Sequence, residues 1–177
     1  GNSWDGTFVK NKLNGVTNPD FVVSTGGATG PFPWQLSTDG TKVGDNYYTA
    51  LKAHNIHYFD YDIEGGGITG SNVAAQSAKK ILNDAKKDNY KMAIMLTLAT
   101  MPKGLTYETI KPLQAFIDAG VYPTVNMMTF DYGQYYSGAE GAYSVQALKA
   151  GFTQYKNLLT KASVTWTDTR IWGHMGA

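Results

Sequence analysis

Ile56-His57-Tyr58-Phe59-Asp60-Tyr61-Asp62-Ile63-Glu64-Gly65-Gly66-Gly67 is the stretch on which the reading of this chain turns. Tyr and Phe favour the pleated backbone and three glycines end it, so its first part reads as a strand. Side chains alternate faces along a strand. Asp60, Asp62 and Glu64 therefore share one face, with His57, Phe59, Tyr61 and Ile63 on the other. Three carboxyls in line repel one another and are costly to ionise together. A core chosen for stability would not hold them. The pattern fits a site in which one carboxyl keeps a proton near neutral pH with the help of its neighbours.

Two blander readings compete. The carboxyls could be the solvated face of an edge strand, although the other face is aromatic and nothing basic alternates with them. They could also bind a hard cation. Phe59 to Glu64 resembles the first motif of two-metal exonucleases, but no convincing second and third acidic motifs follow downstream.

The rest of the chain sets bounds. Its 177 residues suffice for one domain with a sizeable core. With 42% hydrophobic and 16% charged residues it has a globular, ordered composition. A net charge of +1 leaves no electrostatic footprint for nucleic acid. The absence of Cys excludes disulfides and thiolate chemistry. No apolar run is long enough to span a membrane. No signal peptide is visible, and Gly1 rather than Met opens the chain, as expected of a processed, cloned or truncated form. Twelve Tyr and four Trp suit a carbohydrate cleft as well as a core.

In chain order, residues 1–20 read as irregular, with Trp4 and Phe8 unplaced. Phe21 to Thr25 reads as a buried strand running into a Gly- and Pro-rich loop. Gly44 to Asn55 follows as a helix with Tyr47, Tyr48 and Leu51 inward. After the acidic strand, Gly65 to Gly70 is a flexible connection and Ser71 an N-cap. Ala74, Ala78, Ile81, Leu82 and Ala85 recur at helical spacing. Met92 to Leu98 is apolar enough for a strand buried on both faces. Pro112 opens a helix through Leu113, Phe116 and Ile117 that stops at Gly120. Tyr122 to Phe130 forms the next strand, and a last helix uses Leu148, Phe152, Tyr155 and Leu159. Ile171 to Met175 reads as a final strand. Strict alternation of strand and helix predicts a parallel α/β sheet. Glu64 and Asp131 then sit at strand C-terminal ends, where such folds place their sites. No repeat and no domain boundary appears, so 1–177 reads as a single domain.

Three segments carry a resemblance: Ser24-Thr25-Gly26-Gly27, Asp60-Tyr61-Asp62-Ile63-Glu64 and Met128-Thr129-Phe130-Asp131-Tyr132-Gly133. In this order and spacing they resemble the signatures of the family 18 glycoside hydrolases of bacterial chitinase type. Thr97 to Leu105 is similar to the strand between the second and third signatures. The resemblance implies a (β/α)8 TIM barrel, of which this chain supplies about strands 3 to 7. A whole barrel takes roughly 250 residues, so the chain is expected to be a partial catalytic domain. Two departures from the family pattern stand out. His57-Tyr58 stand where Asp-Gly is common, and Phe130 replaces a Tyr, removing a hydroxyl that would bond the substrate's acetamido group.

The resemblance further implies a chitinase acting by substrate-assisted retaining catalysis, with no cofactor and no metal. Retaining glycosidases ordinarily need two carboxyls about 5 Å apart, one of them a nucleophile. Asp62 and Glu64 leave one strand on one side, and in this family the substrate's N-acetyl oxygen attacks instead. Glu64 would be the general acid, Asp62 its partner to the acetamido N–H, and Asp60 the group behind them. The three titrate as a unit. Asp131 would orient the acetamido group, and Met128 would wall the sugar, with Phe130 and Tyr132 beside it. Ser24 would bond the inner Asp, and Trp34 would stack on a sugar or lie in the core. The implied partner is chitin or chitooligosaccharides, with no nucleic acid and no membrane, in a secreted, extracellular protein that is monomeric at full length. A non-catalytic glycan-binding protein on the same fold would usually lack the acid. An endo-β-N-acetylglucosaminidase would share the catalytic logic.

Overall fold

The structure, a computed structural model, describes residues 21–30 and 32–177. The expectation of an irregular segment over residues 1–20, with Trp4 and Phe8, lies outside the described residues. Five parallel strands form one sheet: β1 (Val22–Gly27), β2 (Tyr58–Ile63), β3 (Ala93–Ala99), β4 (Thr124–Met128) and β5 (Met175–Gly176). They lie side by side in chain order. The links between them carry α1 (Gly40–Ala53), α2 (Ser71–Lys87), α3 (Ile110–Asp118), α4 (Glu140–Lys161) and α5 (Asp168–Trp172).

A doubly wound sheet reverses its strand order at a switch point and takes helices on both faces. Here the order never reverses, and α1, α2, α3 and α4 pack each against the next in one layer. This is the arc of a partial α/β barrel. The outer face of β2 anchors that layer. Phe59, Tyr61 and Ile63 are fully buried there. The ring of Tyr47 from α1 lies 4.7 Å from Phe59, and that of Phe116 from α3 lies 5.4 Å from Tyr61. The Tyr61 hydroxyl shares a 2.7 Å hydrogen bond with Ser77 of α2, and the Tyr47 hydroxyl lies 3.4 Å from Thr25 Oγ1, so the polar tips in this cluster have partners.

Several elements differ from their sequence reading. β1 is not buried. It pairs only with β2 among the described residues, and Val22 at its start is 44% exposed. An edge strand lacks the second neighbour that would cover it. α1 starts earlier than Gly44, because Asp39 caps it by accepting from the backbone N–H of Thr41 and Lys42. Gly65–Gly70 is not a loose connection but a 3-10 helix. Its backbone is tied down from beneath, since the Trp34 indole N–H donates to the Gly67 carbonyl at 2.9 Å. Ser71 does not cap α2: it is the first helical residue, and its hydroxyl turns back to the Ile68 carbonyl at 2.6 Å. Ile171 and Trp172 belong to α5, capped by Thr167, and only Met175–Gly176 pairs with β4. The strand reading missed the cap because an apolar run this short fits either period.

Candidate active site

The inner face of the sheet is built as the period of two requires. Ser24 on β1 is in register with Asp60 on β2, and Asp62 with Thr97 on β3, which faces Asn126 on β4. Ser24, Asp60, Thr97 and Asn126 form one hydrogen-bonded row across four strands. Ser24 Oγ donates to Asp60 Oδ2 at 2.7 Å, and Thr97 Oγ1 donates to Asp60 Oδ1 at 2.9 Å. Asn126 Nδ2 in turn donates to Thr97 Oγ1 at 3.2 Å. Asp60 is buried, and desolvation pushes its pKa up while the two hydroxyls pull it back.

One step along the strand, Asp62 is half-buried, and its pKa is pushed up to about 6. Burial is the main cause, followed by the negative charges of Glu64 and Asp60 and a hydrogen bond with Glu64. Its Oδ1 is buried without a hydrogen bond among the described residues. Such an atom is costly in a folded chain and calls for an explanation. Glu64 follows where β2 ends, half-buried at the mouth of the 3-10 turn. The backbone beside the stack is close-packed. Gly26 has φ +117°, and a Cβ there would strike the Asp62 carbonyl oxygen. Only glycine fits both demands.

The third signature leaves β4 at the same end of the sheet. Met128 is half-buried on the face that carries Asn126. Phe130 is exposed, and Asp131 is exposed in the left-handed region with φ 54°. A non-glycine residue held there is a strained position of the kind that collects at functional sites. Tyr132 turns inward, its hydroxyl buried without a partner among the described residues. The two orphaned buried side-chain atoms among the described residues, Asp62 Oδ1 and Tyr132 Oη, therefore both lie in signature segments.

Trp34 requires a correction. It is wholly buried, with Phe32 at 5.7 Å and Tyr61 at 5.8 Å between ring centroids, under the glycine turn. It has no free face for a sugar and props the turn that follows Glu64. The sequence reading passed over Thr97 and Asn126. Each is a polar residue on the inward phase of an otherwise apolar strand, and the period of two would have singled them out.

Among the described residues, no cluster of His, Asp and Glu is arranged to hold a metal ion, and no helix is long and apolar enough to cross a membrane.

No family model matches the chain. It is 33% identical over 124 residues to endochitinase 11 of Metarhizium anisopliae, a match covering 64% of this chain and 23% of that protein. It is equally 33% identical over 124 residues to a probable bifunctional chitinase/lysozyme of Escherichia coli (strain K12), covering 64% of this chain and 13% of that protein. Its structure resembles that of catalytic-site mutants of active domain 2 of the Pyrococcus furiosus chitinase, with a TM-score of 0.73 at 22% identity. That match covers 96% of this chain and 53% of the solved one. Mutants of the same domain complexed with chito-oligosaccharides give 0.74 at 21% identity, with the same coverage. The chain spans less than a quarter of these curated relatives and about half of these solved domains. It is thus similar to chitinases in sequence and to chitinase catalytic domains in fold.

Proposed function

We propose that this chain carries the catalytic centre of a chitinase that hydrolyses β-1,4 linkages between N-acetylglucosamine units with retention. The observation that carries this reading is Asp62. It is a half-buried carboxyl with its pKa raised to about 6, bonded to Glu64 on one side and presenting an unpartnered buried oxygen on the other. An acetamido N–H is the donor such an oxygen lacks. Similarity to chitinases supports the reaction class, and the chito-oligosaccharides bound to a related fold support the substrate class.

Glu64 donates its proton to the glycosidic oxygen as the C1–O bond breaks. The substrate's N-acetyl oxygen forms the new bond to C1, while Asp62 accepts from the acetamido N–H and steadies the positive ring that results. Water then adds at C1 and gives its proton back to Glu64, restoring the acetamide and the acid. Asp60, held by Ser24, keeps the proton balance behind Asp62. Asp131 orients the acetamido group, and Met128 walls the sugar. Phe130 offers contact but no hydroxyl, so one hydrogen bond to the acetamido group is absent from that position. No cofactor or metal takes part, and the protein acts as an extracellular monomer on chitin or chitooligosaccharides.

The test is a fluorogenic chitooligosaccharide incubated with the chain and with its Glu64→Gln variant. Hydrolysis should fall by about 10²- to 10⁴-fold in the variant while fold and ligand binding survive. Undiminished turnover would sink the assignment of Glu64. Binding without cleavage by the parent chain would hand the reading to a glycan-binding protein.

A further inference from the structure

The row across the inner face has two members that none of the three signature segments contains, Thr97 and Asn126. We infer that Asn126 and Thr97 form a positioning relay that holds Asp60 as a carboxylate and so fixes the proton on the Asp62–Glu64 side of the stack. The inference rests on the proposed reaction for its catalytic meaning, but its physical content stands on geometry alone.

A threonine hydroxyl has one proton, and the direction it points is normally free. Here Asn126 Nδ2 donates into Thr97 Oγ1 at 3.2 Å, which occupies a lone pair of that oxygen. The oxygen's own proton is left to point at Asp60 Oδ1, 2.9 Å away. An amide N–H, unlike a hydroxyl or a carboxyl, cannot reverse into an acceptor, so the relay runs one way only. Ser24 supplies a donor to the other Asp60 oxygen at 2.7 Å. Both carboxylate oxygens thus receive hydroxyl donors, an arrangement that favours the charged form. Thr97 is buried, so water does not compete for the bond.

The groups acting on Asp60 are Ser24 from β1 and Thr97 from β3. Those acting on Asp62 are Asp60 and Glu64 on its own strand. No lysine, arginine or histidine contributes to either among the described residues. Burial, the largest influence on Asp60, raises its pKa, and the two hydroxyl donors oppose that; when Asp60 is charged, its charge is one cause of the raised Asp62 pKa. Asn126 also ties the stack to the third signature, since Met128 follows two residues later on the same face of β4.

The experiment follows the side-chain carboxyl carbons of Asp60 and Asp62 by NMR through a pH titration, with activity profiles on a chitooligosaccharide beside it. In Thr97→Val the Asp60 titration should move to higher pH and that of Asp62 to lower pH. Thr97→Ser should restore both, and Asn126→Leu should shift them in the same sense by less. The acidic limb of kcat/KM should move up with Asp60, and kcat should fall about tenfold with KM within about twofold. An Asp60 titration unmoved in a folded Thr97→Val variant would overturn the relay, as would an equal shift in Thr97→Ser. Should the valine variant not fold, Asn126→Leu decides alone, and an Asp60 titration identical to the parent's rejects the relay. A folded parent chain that binds a chitooligosaccharide and cleaves nothing would refute the proposed reaction. The NMR shifts would still decide the relay.

Discussion

The two faces of β2 obey different rules. Outside, Phe59, Tyr61 and Ile63 are packed against α1, α2 and α3, and the Tyr61 hydroxyl has its partner in Ser77. Inside, one residue out of phase, three carboxyls line up, and Asp62 Oδ1 is buried without a hydrogen bond among the described residues. The outer face is what stability alone would select. The inner face keeps a like-charge stack and an unsatisfied atom, a cost that only a use for those groups accounts for. One strand six residues long thus divides the work. Its outer half holds the fold, and its inner half is held by it.

The sharpest way to break that contrast is to hollow the outer face. Tyr61→Ala should cost about 3–5 kcal/mol of stability, read from denaturant unfolding. Its effect on catalysis should come only through loss of folded protein. A value under about 1 kcal/mol would mean that the aromatic cluster does not anchor the helices.

The inner face should respond with the opposite sign. Asp62 has a folded pKa of about 6 against an ordinary value of 3.8. The folded chain therefore binds this proton more tightly than the unfolded one. Stability contributed by the group is lost as pH rises from 3.8 to 6, and the loss is complete above that range. Asp62→Asn should slow hydrolysis by about tenfold or more. Above pH 6 it should also raise stability by about 1–2 kcal/mol, less than full burial would give because solvent reaches the carboxyl. Below pH 4 that gain should vanish. Unfolding curves of parent and variant at both pH values check it, and a gain that persists at low pH would refute the cause assigned here.

Two smaller tests calibrate the contrast. Tyr61→Phe removes one end of the Ser77 bond and leaves the ring, so it should cost about 1 kcal/mol by thermal unfolding, with no change in the pH profile of activity. Lys156 of α4 and Asp168 of α5 pair on the surface at 2.7 Å. Lys156→Met should change stability by less than about 0.5 kcal/mol. An effect of several kcal/mol there would show that α5 is held mainly by that ion pair.

Much of this was legible in the residues. The phase of β2, the inward spacing along α2, and the stop of α3 at Gly120 are local, because burial of every second or every third-to-fourth residue leaves a periodic trace. The carboxylate stack was legible for the same reason. What failed was also physical. The short helix at Ile171 and Trp172 has too few residues to show a period. Gly65–Gly70 looked loose because glycine says nothing about what will lie beneath it, and Trp34 proved to be the support. Trp34 was equally ambiguous on its own: an indole suits a sugar or a core, and only the arrival of Phe32, Tyr61 and the Gly67 carbonyl around it decides.

The sequence by itself determined which residues share a strand face, the alternation of strand and helix, and the chemistry that three aligned carboxyls can perform, since these follow from backbone geometry within one element. The tertiary structure decided that the sheet is a barrel arc with its helices in one layer, because strand order depends on contacts between residues far apart in the chain. It also decided that Ser24 and Thr97 meet Asp60 and that Asn126 meets Thr97. Three strands other than its own must bring those hydroxyl and amide groups within hydrogen-bonding distance, and no local pattern records that meeting.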